Sequence, residues 1–250
     1  MARLKCIISY DGSEFHGFQF QPGERTIAGE LEKALTKMHK GDYIRIQASG
    51  RTDAGVHAIG QVIHFDSPYD IADDNWKVAL NTLLPDDIYV KRVTTVPDDF
   101  HARYDVEEKE YRYFVWNSQE PDIFKRNYVF HFPYAVNMEK VEAACRYLEG
   151  THDFTTFSSA KASAKGSKVR TIKKITCLKD GPHMAFIFRG NGFLYNMVRI
   201  IVSVLLDVGQ GRKQPGDIPE LLAAKDRRQA SKTIAAQGLY LWKVTYKQER

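Results

Sequence analysis

Cysteine is scarce in this 250-residue chain. Cys6, Cys145 and Cys177 are odd in number and far apart, so no disulfide framework is expected. Neither a Cys-x-x-Cys pair nor a Cys/His ligand spacing marks a zinc site. Long hydrophobic runs are missing too. The most apolar helix candidate, Phe193 to Val208, is too short to span a bilayer and carries Arg199 in its middle. The opening Met1-Ala2-Arg3-Leu4-Lys5 enters a strand directly and lacks a signal-peptide profile, so the expected compartment is cytoplasmic, with no membrane partner. A Walker loop, a His-Glu-x-x-His pair, a Gly-x-Ser-x-Gly elbow and a dinucleotide fingerprint are all absent. The expected chemistry therefore uses no metal and no organic cofactor.

What is present is an ordinary globular composition, 43% hydrophobic and 27% charged. Thirty-six Lys and Arg against 31 Asp and Glu give a net charge of +5, a balance that suits a polyanionic partner. The basic residues cluster: Lys161, Lys165, Lys168, Arg170, Lys173 and Lys174 share one stretch without an acid.

Periodicity divides the chain into two halves of similar element order. Leu4 to Tyr10 reads as a strand ending in the turn residues Asp11-Gly12-Ser13. Ile27, Leu31, Ala34, Leu35 and Met38 form a helical stripe behind Thr26, a candidate cap, with Gly29 as its weak point. Strands are expected at Tyr43 to Ile46, Gln61 to Phe65 and Ile88 to Val93, and a helix at Asp74 to Leu84. That order is ferredoxin-like. Beyond a crossing segment at Pro97 to Tyr104, the order recurs with an insertion. Strands are expected at Lys109 to Trp116, Val169 to Cys177, His183 to Arg189 and Leu239 to Tyr246. Helices are expected at Asn137 to Leu148, Phe193 to Val208 and Asp217 to Ala224, and Ser158 to Lys168 is expected to be mobile. The expected class is α+β, with residues 1–103 as one half and 104–250, including a basic loop at 158–174, as the other.

The segment Ala48-Ser49-Gly50-Arg51-Thr52-Asp53-Ala54-Gly55-Val56-His57-Ala58 stands out. Its small residues leave little bulk around one arginine and one aspartate, so a ligand can approach the backbone and Asp53. An extended backbone puts Arg51 and Asp53 on one face, where the guanidinium keeps the carboxylate ionised. An ionised, positioned aspartate serves as nucleophile or general base. A plain turn with a surface ion pair would use the same residue types. His57 alone suggests acid–base work, though a structural hydrogen bond explains it better. Tyr111 and Tyr113 share a strand face and fit either a core or a platform for a stacked base. Arg199, in a helix this apolar, needs a carboxylate or phosphate partner; if the helix lies beneath a cleft, Asp53 is the natural one. The run Glu14 to Pro22, mixing aromatics, amides and glycine, fits a buried loop and an RNA-facing surface equally.

Gly50 to Ala58 closely resembles the active-site motif of the TruA family of tRNA pseudouridine synthases. The resemblance extends through Tyr10-Asp11-Gly12-Ser13, Gly60-Gln61-Val62, Val96 to Arg103, Tyr111-Arg112-Tyr113, His152-Asp153-Phe154, Val169-Arg170-Thr171-Ile172, Met197-Val198-Arg199 and Gly238-Leu239-Tyr240-Leu241. It implies a pseudouridine synthase fold: two ferredoxin-like (RRM-like) halves with joined antiparallel sheets and a central cleft. It also implies a homodimer acting on tRNA at uridines 38 to 40 of the anticodon stem-loop. Asp53 corresponds to the family's catalytic aspartate, Tyr111 to its base-stacking tyrosine, and Arg51 and Arg199 to its active-site arginines. Ser203 and Ala236 depart from the family's usual residues at positions that bear on packing, and Ser159 to Lys168 departs from its usual loop. Two other readings are a non-catalytic RNA-binding protein, which leaves Asp53 unexplained, and a hydrolase, which needs a clustered set of metal ligands or a water-activating partner.

Overall fold

The computed structural model describes residues 1–159 and 166–247. Residues 160–165 of the loop expected to be mobile lie outside the described residues. In chain order the elements are β1 (Ala2–Tyr10), α1 (Ile27–Met38), β2 (Gln47–Ala48), β3 (His57–Ser67), α2 (Asp73–Leu83) and β4 (Ile88–Val96). Then follow β5 (Val106–Trp116), β6 (Phe130–His131), α3 (Met138–Leu148), β7 (Gly150–Asp153), β8 (Val169–Asp180) and β9 (His183–Gly190). The last are α4 (Met197–Gly209), α5 (Asp217–Ala224) and β10 (Leu239–Tyr246). The class is α+β with mostly antiparallel strands. The chain forms two compact units, Met1–Glu107 with the chain from Tyr240 onward, and Glu108–Leu239.

In the first unit β1 pairs antiparallel with both β3 and β4. Alternation along β1 buries Leu4, Cys6, Ile8 and Tyr10. Trp76 of α2 meets Phe65 of β3 edge-on at 5.5 Å on the same side of the sheet. The other edge of β3 is shared. β2 pairs with its far end (Gln47↔His64), whereas β10 joins its beginning in parallel (Tyr240↔His57, Leu241↔Ala58). The order β4-β1-β3-β2 is that of a ferredoxin-like unit. Thr26 caps α1, its Oγ1 accepting from the Gly29 amide at 3.2 Å. A Cβ on Gly29 would lie 2.9 Å from that oxygen, so the weak helix former sits where the cap needs room.

One expected strand is absent. Tyr43 to Ile46 is irregular, and only Gln47–Ala48 pairs with β3. The cause is Glu32 of α1, whose carboxylate accepts from the Tyr43 hydroxyl at 2.8 Å and from the Ile46 amide at 3.2 Å. A helix side chain thus takes the backbone donor that a sheet partner would have taken.

In the second unit β5, β9, β8 and β7 form an antiparallel sheet in that order, and β6 runs parallel to the end of β5. α4 is buried along most of its length, as its composition requires. It starts at Met197, four residues later than periodicity suggests, because Asn196 takes a left-handed conformation at φ 61°. The segment that leads out of the unit is fastened to β5: the Phe114 amide donates to the Gly238 carbonyl and the Tyr113 hydroxyl to that of Ala235.

Candidate active site

Asp53 lies in the loop between β2 and β3, half-buried, between exposed Arg51 and exposed Ala54. Its backbone is held from several sides. The Val56 amide donates to the Asp53 carbonyl at 3.1 Å, closing a turn that Gly55 completes at φ 75°. Thr52 points inward: its hydroxyl meets the buried Tyr10 hydroxyl at 2.8 Å, and its carbonyl accepts from Phe18 N–H. Burial pushes the Tyr10 phenol well above its ordinary range, so it stays a neutral partner. Behind the loop, the Gln61 side chain accepts from Ser49 Oγ at 2.6 Å and donates to the Gly50 carbonyl at 2.9 Å. The alternation is therefore as expected, with Thr52 inward and its neighbours outward.

The segment 11–18 braces this loop. Gly17, at φ 93°, is so close that a Cβ would meet the Thr52 carbonyl oxygen at 3.0 Å and the Ala54 nitrogen at 3.3 Å. A Cβ on Gly12 would come within 2.1 Å of the Val56 oxygen. Phe15 and Phe18 are buried, while Phe20 is exposed, so the aromatic run is core in its first part and surface in its last. Arg25 fixes the brace, its guanidinium 4.1 Å over the Phe15 ring and forked onto Asp87 at 2.7 and 2.9 Å. His57 is structural here. Its Nδ1 accepts from the Gly12 amide at 3.0 Å, and its ring stacks on Tyr240 at 4.6 Å.

Arg51 differs from expectation. It is exposed and makes no ion pair with Asp53 or any other carboxylate among the described residues. Its side chain is left to solvent.

The second unit holds the other two residues. Tyr111 on β5 is buried except for a small exposed remainder, and Phe193 packs edge-on against it at 5.1 Å between ring centres. Tyr113, on the same strand face, is fully buried and belongs to the core. Arg199, on the first turn of α4, donates to the Ile234 carbonyl at 2.8 Å and to the Asn196 side chain at 2.9 Å. These bonds hold the guanidinium in place through neutral oxygens. In the basic stretch, Lys173 and Lys174 pair with Glu108 and Glu149, both at 3.1 Å. That leaves them poorer phosphate ligands than composition suggests.

Sequence reading did not foresee that Gly12, Gly17 and Gln61 brace the Asp53 loop. Their own neighbourhoods do not say which backbone they approach, because those contacts are made in three dimensions. The dense glycine and alanine content of Gly50 to Ala58 is the only local signal of close packing.

The loop therefore presents a half-buried carboxylate on a braced backbone at a sheet rim, two residues from an exposed arginine. The family model of tRNA pseudouridine synthases matches residues 6–105 and 144–247, and the chain belongs to that family. It is 62% identical over 248 residues to the tRNA pseudouridine synthase A of Oceanobacillus iheyensis, covering 99% of this chain and 98% of that protein. The protein of the same name from Geobacillus kaustophilus is 55% identical over 247 residues, covering 99% and 95% of the two chains. A Bacillus cereus protein named tRNA pseudouridine synthase A 1 is 53% identical over 246 residues, with coverage of 98% and 99%.

Proposed function

We propose that this chain isomerises uridine to pseudouridine in the anticodon stem-loop of tRNA, at position 38, 39 or 40, with Asp53 as the catalytic carboxylate. The observation that carries the reading is the Asp53 loop, whose backbone is fixed by bonds to the Val56, Phe18 and Gln61 groups while the carboxylate reaches the surface of the unit. A backbone fixed in this way lowers the cost of positioning the carboxylate that it carries.

Isomerisation breaks the N1–C1′ bond, turns the detached uracil and joins C5 to C1′. Reactant and product contain the same atoms, so no co-substrate enters. Asp53 begins the sequence either by attacking C1′ or by removing a ribose proton to give a glycal. The target uridine first leaves its stack, at a cost of a few kcal/mol. Tyr111 offers its flat face to the base and is a candidate to take the proton from C5 at the end. Arg51, free of ion pairs, and Arg199, held on its helix turn, bind the substrate. The acting form is read as a cytoplasmic homodimer.

The test is tritium release from tRNA labelled at uridine C5, for the wild type and Asp53→Ala, with tRNA binding followed in parallel. Release by the wild type alone, with binding kept in the variant, is the expected result. A folded wild type that binds tRNA and releases nothing would sink the proposal and leave a binding module.

A further inference from the structure

The first unit contains a groove that the reading above does not use. It measures about 300 Å³ and lies on the sheet face opposite Leu4, Cys6 and Ile8. Ile7 and Val62, adjacent across β1 and β3, make an apolar floor. Arg92 of β4 and Lys243 of β10 line it with Thr94 and Thr245. At one end Lys5 Nζ sits 5.5 and 5.6 Å from the ring centres of Phe100 and Tyr246. The Tyr246 ring is fixed, its hydroxyl donating to the Ala102 carbonyl at 2.7 Å.

Three features give this groove a ligand class. Every titratable lining group other than Tyr246 is a cation, and no carboxylate lines it among the described residues. The side chains of Arg92 and Lys243 make no hydrogen bond or ion pair among the described residues, so both charges remain available. The volume, at the small end for ligand pockets, suits one nucleotide unit. An apolar floor with an aromatic at one end takes a base or ribose, and cations with hydroxyls above it take a phosphate. Along β3 the floor lies about 16 Å from the start of the strand, where the Asp53 loop ends. A uridine held at Asp53 therefore does not fill it.

We infer that this groove is a second RNA-binding site, seating one nucleotide of the substrate tRNA away from the target uridine with its phosphate against Arg92 and Lys243. The inference rests on the proposed tRNA substrate.

Arg92→Ala, Lys243→Ala and the double variant would be compared with wild type in tRNA binding across a salt series and in the KM of tritium release. Lys33→Ala, an exposed cation of α1 outside the groove, controls for the loss of one charge. Each single groove variant is expected to weaken binding several-fold and to lower the slope of log K against log salt by about 1, the double by about 2. Arg92→Lys is expected to keep the slope. Slopes equal to wild type would overturn the inference, as would an equal drop in Lys33→Ala. Should the wild type bind tRNA but release no tritium, the synthase reading falls while the slopes still judge the groove. Full release with unaltered slopes removes the groove alone.

Discussion

At the scale of single residues, the Asp53 loop depends on groups that leave no mark beside it in the sequence. Gly12→Ala puts a methyl 2.1 Å from a carbonyl oxygen that cannot move without the turn carrying Asp53. Gly23→Ala, at φ 80° with nothing within 4 Å, meets backbone strain only. The second is expected to cost about 1 kcal/mol in urea unfolding. The first is expected to be more damaging and to cut tritium release at least tenfold. His64 carries a pH dependence. Burial first, then the neighbouring His101 and Arg3, lowers its pKa from 6.5 to about 4, and its Nδ1 accepts from the Ala102 amide. An unfolded chain takes up this proton before the folded one does, so stability is full above about pH 6.5 and declines towards pH 4. Urea midpoints between those values should fall in the wild type and fall less in His64→Gln. Asp53, Tyr111 and Arg199 were picked out because a motif or an odd charge marked them. Arg51 makes no ion pair among the described residues, since spacing of i and i+2 favours a shared face but not a contact.

At the scale of elements, periodicity found α1, α2, α3 and the long strands, because each buries one regular face. It failed where a distant side chain or a single dihedral decides. Tyr43 to Ile46 has strand composition, yet Glu32 claims its donors. Phe193 to Asn196 has helix composition, yet the left-handed Asn196 delays α4. The Thr26 cap was legible because its chemistry is local. Thr26→Ala is expected to cost about 1 kcal/mol, read from the shift in urea midpoint at constant m-value. Glu32→Ala should cost about 1–3 kcal/mol, since a buried amide loses its acceptor, with faster hydrogen exchange at Ile46.

At the scale of the whole molecule, the two-fold recurrence of element order was readable, and so was the α+β class. The path of the last strand was not. Tyr240 and Leu241 pair in parallel with the first residues of β3. A pairing between positions so far apart has no local signature. Gly60 is its only trace, for a Cβ there would meet the Trp242 oxygen at 2.6 Å. A chain cut after Leu239 should melt at lower temperature, and amides at the start of β3 should lose hydrogen-exchange protection. Unchanged protection at His57 and Ala58 would argue against a stabilising part for β10.

That late pairing also sets a schedule during synthesis. The amino-terminal unit leaves the ribosome early, with the beginning of β3 still missing a neighbour. Its last strand arrives only after the whole second unit has been translated, on the order of 10 s later at bacterial elongation rates. Throughout that interval the nascent chain carries the Asp53 loop on a strand whose edge is open. The strand that carries the Asp53 loop thus gains its last neighbour only with the final stretch of polypeptide.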